Sequence, residues 1–288
     1  MKKIYQQLST FFEMIKFEHT VFALPFAYLG MILAAEGLPT WAQFWWITLA
    51  MVAARTTAMS FNRLADMKFD ARNPRTRERP LVSGKLSPST AWIATVLSLF
   101  LLGFSAWQLN PLAFKLFPIA LLFLIGYSYT KRFTWMSHFV LGFTDALAAA
   151  GAWVAVRGTL FGADDLSAWV LLFIVTLWIG GFDLIYACQD YEIDREENLH
   201  SIPARFGIPF ALTLARWVHL FAVLGLIYLG YLHHLAYPYW IGVVLSTGLF
   251  IYEHAIISPD DLSRVNVAFF NVNGYISLIL FFATWLAL

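Results

Sequence analysis

The chain has 288 residues, of which 60% are hydrophobic and 13% charged, with a mean hydropathy of +0.66. Soluble domains carry about 25% charge, so this composition excludes a soluble globular protein and leaves an integral membrane protein. A net charge of +1 excludes a basic nucleic-acid binder and a disordered acidic chain alike. The single cysteine, Cys188, removes disulfides and cysteine-built zinc or iron–sulfur sites.

A bilayer core of about 30 Å needs about 20 apolar helical residues. That ruler predicts nine transmembrane helices in one all-α bundle, at 20 to 36, 42 to 62, 89 to 108, 111 to 129, 138 to 157, 166 to 188, 209 to 231, 236 to 256 and 267 to 287. Breakers stand between them, among them Gly37-Leu38-Pro39, Asn110-Pro111, Gly207-Ile208-Pro209 and Tyr237-Pro238. No small-residue cleavage site closes the first apolar run, so no removable signal peptide is expected. With the N-terminus in the cytosol, sixteen of the 19 basic residues, from Lys2 and Lys3 to Arg264, fall on the cytosolic side. Lys115 and Arg157 lie opposite and Arg55 inside a span, an asymmetry that orients the bundle by the positive-inside rule.

Two stretches, 62 to 85 and 183 to 205, hold 18 of the 37 charged residues. Each begins inside the cytosolic end of a span, the second and the sixth. The four-span interval between them suggests one domain, 1 to 288, built from a four-helix block used twice, about 20 to 130 and 138 to 256, with a ninth helix added. In the first stretch Asn62, Asp66 and Asp70 are spaced by four, so on a helix each lies one turn on and about 40° around from the last. In the second, Asp190 and Asp194 repeat that spacing, Asp183 sits seven before Asp190, and Tyr186 lies between.

Carboxylates converging at a membrane surface repel one another unless a cation compensates them, and ionisable residues within spans are functional by default. An oxygen-only donor set suits Mg²⁺, which keeps water and phosphate oxygens beside a few carboxylates. The natural third party is a diphosphate. Lys68, Arg72, Arg75, Arg77 and Arg79 after the first cluster, Lys131 and Arg132 between the fourth and fifth spans, and Arg195 after the second cluster are the cations expected to meet it.

These motifs resemble those of the UbiA superfamily of intramembrane aromatic prenyltransferases. Asn62, Asp66 and Asp70 match its NxxxDxxxD signature; Tyr186, Gln189, Asp190 and Asp194 match YxxQDxxxD. Arg79-Pro80-Leu81, Ser83-Gly84 and Tyr127 through Arg132 match at the expected spacings, and the likeness runs from about residue 10 to 285. Within the superfamily, Met14 through Thr20 and Phe22 through Ala27 are similar to the branch labelled 4-hydroxybenzoate polyprenyltransferase, particularly members of the futalosine route to menaquinone. The resemblance implies two Mg²⁺ ions held by Asn62, Asp66, Asp70, Asp190 and Asp194, and a polyprenyl diphosphate held by the ions and the basic residues. It also implies a small aromatic acceptor, a role in quinone synthesis, and a place in the bacterial cytoplasmic membrane with the site open to the cytosol. The 51 aromatic residues would include some that shield an allylic cation.

Arg55 lies seven residues before Asn62, about 20° from it around the helix, so it should face the same cavity from deeper in the bilayer. It is expected to bind an acceptor carboxylate, with Arg132 and Lys16 as rivals and an ion pair with Asp145 as the structural alternative. Asp183 and Tyr186 are candidates for orienting or deprotonating the acceptor hydroxyl. His19 stands at the start of the first span, where an interfacial residue is the plainer reading. Haem, chlorophyllide or homogentisate-type acceptors remain as alternatives, and an ion-coupled transporter as the reading from another class. A transporter should carry ionisable groups through the whole membrane thickness, whereas here the acids gather on one side.

Overall fold

The computed structural model of the chain describes residues 2–288, apart from the side chains of residues 2–4 and 18–22. Lys2, Lys3, His19, Thr20 and Phe22, named above, fall among those side chains and lie outside the description. Among the described residues there is no strand. The helices are α1 (Lys2–Met14), α2 (Phe17–Ala35), α3 (Trp41–Ala65), α4 (Met67–Asp70), α5 (Pro88–Leu109), α6 (Pro111–Thr130) and α7 (Ser137–Arg157). They continue as α8 (Leu166–Ala187), α9 (Tyr191–Glu196), α10 (Ile202–Phe206), α11 (Ile208–Leu232), α12 (Tyr237–Ala255) and α13 (Asn273–Trp285).

Each of the nine apolar stretches coincides with a long helix, and the breakers act as expected. Asn110 is extended (φ −166°) and its side chain accepts from the Ala113 amide, while Pro111 starts α6 without a missing hydrogen bond. Thr40 and Gln43 form a reciprocal capping box at the head of α3. Among the described residues six segments are long and apolar enough to cross a membrane: α5, α6, α7, the run Ala163–Glu196 containing α8, α11, and Val267–Trp285. The 25 residues of α3 span about 37 Å, but polar side chains including Arg55, Asn62 and Arg63 dilute its apolar character. The helices α1, α4, α9 and α10 are not among the predicted spans, and the ninth stretch opens on a π-helical turn at Val267–Val272 before α13.

Packing rests on small residues where helices approach closely. The small side chains Ala146, Ala149 and Ala152 of α7 are buried. Gly142 abuts the Thr176 carbonyl on α8, and Gly30 of α2 abuts the Ala149 carbonyl on α7, so that a side chain at either glycine would collide with backbone. With α7 locked between α2 and α8, the helices surround one elongated cavity of about 940 Å³. It runs from Asp66 and Asp190 at one end, past Leu102 and Phe117, to Leu109 and Phe161 near the other.

Candidate active site

Neither Asp motif forms the unbroken helical ladder that its spacing suggests. Helix α3 stops at Ala65, and Asp66 takes φ −95°, ψ 3° before the single turn of α4. Helix α8 stops at Ala187, and Asp190, at φ −98°, ψ 9°, ends a 3₁₀ turn before α9. Both central aspartates therefore adopt the same bridge-region backbone, which lies between helix and turn. The kinks let each motif turn across the cavity mouth: Asn62, Asp66 and Asp70 line it from one side, and Asp183, Tyr186, Asp190 and Asp194 from the other.

The loop after α4 ties the two motifs together. Asn73 accepts from the Arg75 amide through its own side chain, and the Thr76 hydroxyl donates to the Asp70 carbonyl, so the loop is fixed locally. From that position the Asn73 amide donates to Asp190 Oδ1 at 3.0 Å, and Arg75 reaches both Asp190 oxygens, Nε to Oδ1 at 3.1 Å and Nη2 to Oδ2 at 2.6 Å. Arg75 also donates to the Tyr186 hydroxyl at 2.9 Å and lies over that ring. Residues about 115 apart in the chain thus share hydrogen bonds.

The other carboxylates are braced the same way. Arg79 grips both oxygens of Asp70 at 2.6 and 2.7 Å. Arg132 donates to Asp66 at 3.3 Å and to the Ala65 carbonyl at 2.7 Å, packed over Tyr129 and Phe69. Lys131 donates to Asp194 at 3.3 Å. Four carboxylates face four cations one to one. Burial, and then the charge of Asp70, push the Asp66 carboxyl above the usual carboxylate range, against the pull of Arg132. Burial works against the charges of Arg75 and Lys131 too, but Asp190 and Asp194 respectively outweigh it and hold both cations above their ordinary values.

Deeper in the cavity Arg55 faces Asp145 across 3.8 Å, too long for a hydrogen bond. Among the described residues its buried Nε has no hydrogen-bond partner. Lys16, held in the left-handed region at φ 50°, also lines the cavity. Phe117, Phe143, Phe182, Phe269, Phe270 and Tyr127 are among the rings on the wall. Four expected cations are not part of the lining. Lys68 is exposed, since it lies two residues and roughly 200° around the helix from Asp66. Arg77 pairs at the surface with Glu78, and Arg195 with the Tyr191 hydroxyl. Arg72 is two-thirds exposed and binds Glu197 at 2.7 Å, bridging the two motif loops from outside. Gln189 also stays off the wall, because the 3₁₀ turn folds its amide back onto the Tyr186 carbonyl.

One group at the site escaped the sequence reading. His138, at the start of α7, is fully buried and lies 2.7 Å from Asp183 through Nδ1. A lone histidine inside an apolar run carries no sequence signal of such a partner.

The donors fit a divalent cation by their chemistry: Asn62, Asp66, Asp70, Asp190 and Asp194 offer oxygen alone, on one cavity end. Among the described residues no three acidic, histidine or cysteine side chains form a ready-made metal cluster, in keeping with carboxylates that are occupied by the chain's own cations.

The sequence profile of the UbiA prenyltransferase family matches residues 23–283. The 4-hydroxybenzoate octaprenyltransferase of Aliivibrio fischeri strain MJ11 is 30% identical over 257 residues, 88% of this chain and 86% of its own length. That of Nitrosospira multiformis is 31% identical over 245 residues, 85% and 82%. The apo structure of a UbiA homolog from Aeropyrum pernix K1 superposes with a TM-score of 0.85 at 32% identity, over 92% of this chain and 96% of that one. A UbiA homolog from Archaeoglobus fulgidus bound to DMAPP and Mg²⁺ shares the fold with a TM-score of 0.63 at 18% identity, over 94% and 99%.

Proposed function

Because the chain belongs to the UbiA prenyltransferase family and is a prenyltransferase, we propose that it transfers a polyprenyl group from an allylic diphosphate to a small aromatic carboxylic acid, 4-hydroxybenzoate foremost. The observation that carries this reading is the joining of two distant Asp motifs, through Asn73 and Arg75, at one end of an elongated, largely apolar cavity. An apolar cavity with a charged mouth accommodates a lipid whose reactive end is a diphosphate.

Asn62, Asp66, Asp70, Asp190 and Asp194 would hold Mg²⁺, which when bound supplies Lewis-acid stabilisation of the diphosphate as it departs. Arg75, Arg79, Lys131 and Arg132 bind the oxygens of that leaving group and neutralise its growing charge. Phe269 and Phe270 stand near the mouth beside Tyr186; such ring faces attract the allylic cation and exclude water from it. Arg55, whose Nε is unsatisfied and whose acid partner is distant among the described residues, binds the acceptor carboxylate. Asp183 and Tyr186 orient the acceptor, and Asp183 takes its proton.

All nine long helices cross the bacterial inner membrane in this reading, with the N-terminus and the mouth on the cytosolic side, which fits the basic residues gathered there. Purified protein given Mg²⁺, geranyl diphosphate and, in parallel, 4-hydroxybenzoate, a dihydroxynaphthoate and homogentisate tests it. Prenylated hydroxybenzoate is the expected product. Turnover of the naphthoate alone would move the chain to a menaquinone route, and no transfer to any aromatic acid would overturn the proposal.

A further inference from the structure

We propose that His138 is a positioning residue for proton removal: it fixes one oxygen of Asp183 so that the other is presented to the acceptor. This rests on the reading of the cavity as an aromatic prenylation site.

The ring of His138 has both nitrogens committed. The Ile202 amide, at the head of α10, donates to Nε2 at 3.3 Å. Nε2 must then carry a lone pair, so the ring hydrogen sits on Nδ1 and is donated to Asp183 Oδ2 at 2.7 Å. The ring is completely buried, whereas the Asp183 side chain keeps 16% of its surface and lines the cavity. This is the only hydrogen bond Asp183 makes among the described residues, and the nearby ammonium of Lys131 is engaged by Asp194. The rigid start of α10, where Ser201 caps the Ala204 amide, is therefore what finally sets the direction of a carboxylate in the cavity. Backbone, imidazole and carboxylate form a one-way chain of donors, an arrangement that holds a base in one tautomer and orientation.

The step needs such a base. The C1–O bond of the prenyl diphosphate breaks first, the diphosphate leaving with the electron pair, and the acceptor ring carbon then bonds to C1 of the allylic cation. The ring carbon is left tetrahedral and still bears its hydrogen. When that C–H bond breaks, its electrons restore aromaticity and the proton passes to the free oxygen of Asp183.

The test uses the full-length protein in detergent, geranyl diphosphate, Mg²⁺, and 4-hydroxybenzoate either unlabelled or deuterated at both ring positions beside the hydroxyl. The wild type is expected to show little effect of deuteration, as when C–O ionisation rather than C–H cleavage limits the rate. In His138→Leu, kcat falls roughly 10–100-fold, the loss typical when the partner of a working side chain is removed. The KM for geranyl diphosphate stays put and a primary isotope effect appears, because C–H cleavage has become slow. His138→Asn, whose amide can donate from about the place of Nδ1, restores most of the rate and removes the isotope effect. A slow His138→Leu with no isotope effect, or His138→Asn as poor as His138→Leu, overturns the role of His138. If His138→Leu does not fold, an isotope effect in Asp183→Asn with none in His138→Asn supports the proposal, and a normal rate in Asp183→Asn overturns it. Wild-type protein that prenylates no aromatic acid would instead remove the reading on which the role rests.

Discussion

The two Asp motifs have the same backbone turn and unequal surroundings. Asp66 and Asp190 break their helices at nearly identical dihedral angles, yet the cations that brace all four carboxylates come from one side of the chain. Arg75 and Arg79 follow the first motif, and Lys131 and Arg132 lie in the α6–α7 connection. The loop after the second motif supplies none of them. It supplies instead Ile202, which orients His138, and Glu197, which holds Arg72 from outside. One motif's loop thus brings charge to the mouth and the other's brings rigidity. A repeated backbone unit need not repeat its chemistry.

The largest effects should follow from breaking what the two motifs share. Asp66→Ala and Asp190→Ala should each lower kcat by roughly 10²–10³-fold in a prenyl-transfer assay, the range for losing one preorganised stabiliser of a charged transition state. Chelation of divalent ions should abolish turnover and Mg²⁺ should restore it; activity that survives the chelator would separate these carboxylates from a metal role.

Next comes the link between the motifs. Arg75→Ala strands a mostly buried Asp190 with, among the described residues, only Asn73 as hydrogen-bond partner. It should cost about 1–3 kcal/mol of stability, read as a lower melting temperature in detergent, together with a higher KM for the prenyl diphosphate. Arg75→Lys should recover only part, because a point charge cannot reproduce the two-oxygen grip. Equal losses in Arg75→Ala and Arg79→Ala would show that bridging the motifs matters no more than bracing one of them.

Smaller and more selective changes are expected away from the link. Arg55→Ala should raise the acceptor KM about tenfold, worth roughly 1.4 kcal/mol, with the diphosphate KM unchanged. An unaltered acceptor KM would leave Arg55 as the structural partner of Asp145. Arg72→Ala, which removes an exposed pair with Glu197, should shift stability by no more than ~1 kcal/mol and leave turnover near wild type.

Much of this was legible in the sequence because membrane physics is blunt. Length and apolarity marked every long helix, since backbone polar groups in lipid must pair within the segment, and the four-residue spacing of acids marked both motifs. What failed were features set by tertiary contact. The helix breaks at Asp66 and Asp190 keep their residues within ordinary helical spacing, so periodicity cannot reveal them. Lys68 and Gln189 stand beside site residues in sequence but turn away in space. His138 could not be assigned, because its partners lie 45 and 64 residues away and nothing local announces them. The π-helical turn at Val267–Val272, where Asn273 donates to the Ala268 carbonyl, depends on a side chain meeting a freed backbone group.

The one-sided supply of counterions bears on how such a chain could be recombined. A chimera taking residues 1–135 from a distant relative and the remainder from this protein would inherit Asp190 and Asp194 without the guanidinium and ammonium groups shaped to them. Its helices could pack and its acids could stand in register while mutual repulsion loosened the interface between the pieces. Exchange of the stretch 62–135 as a single cassette, by contrast, would carry the compensating charges along with the loop geometry that aims them.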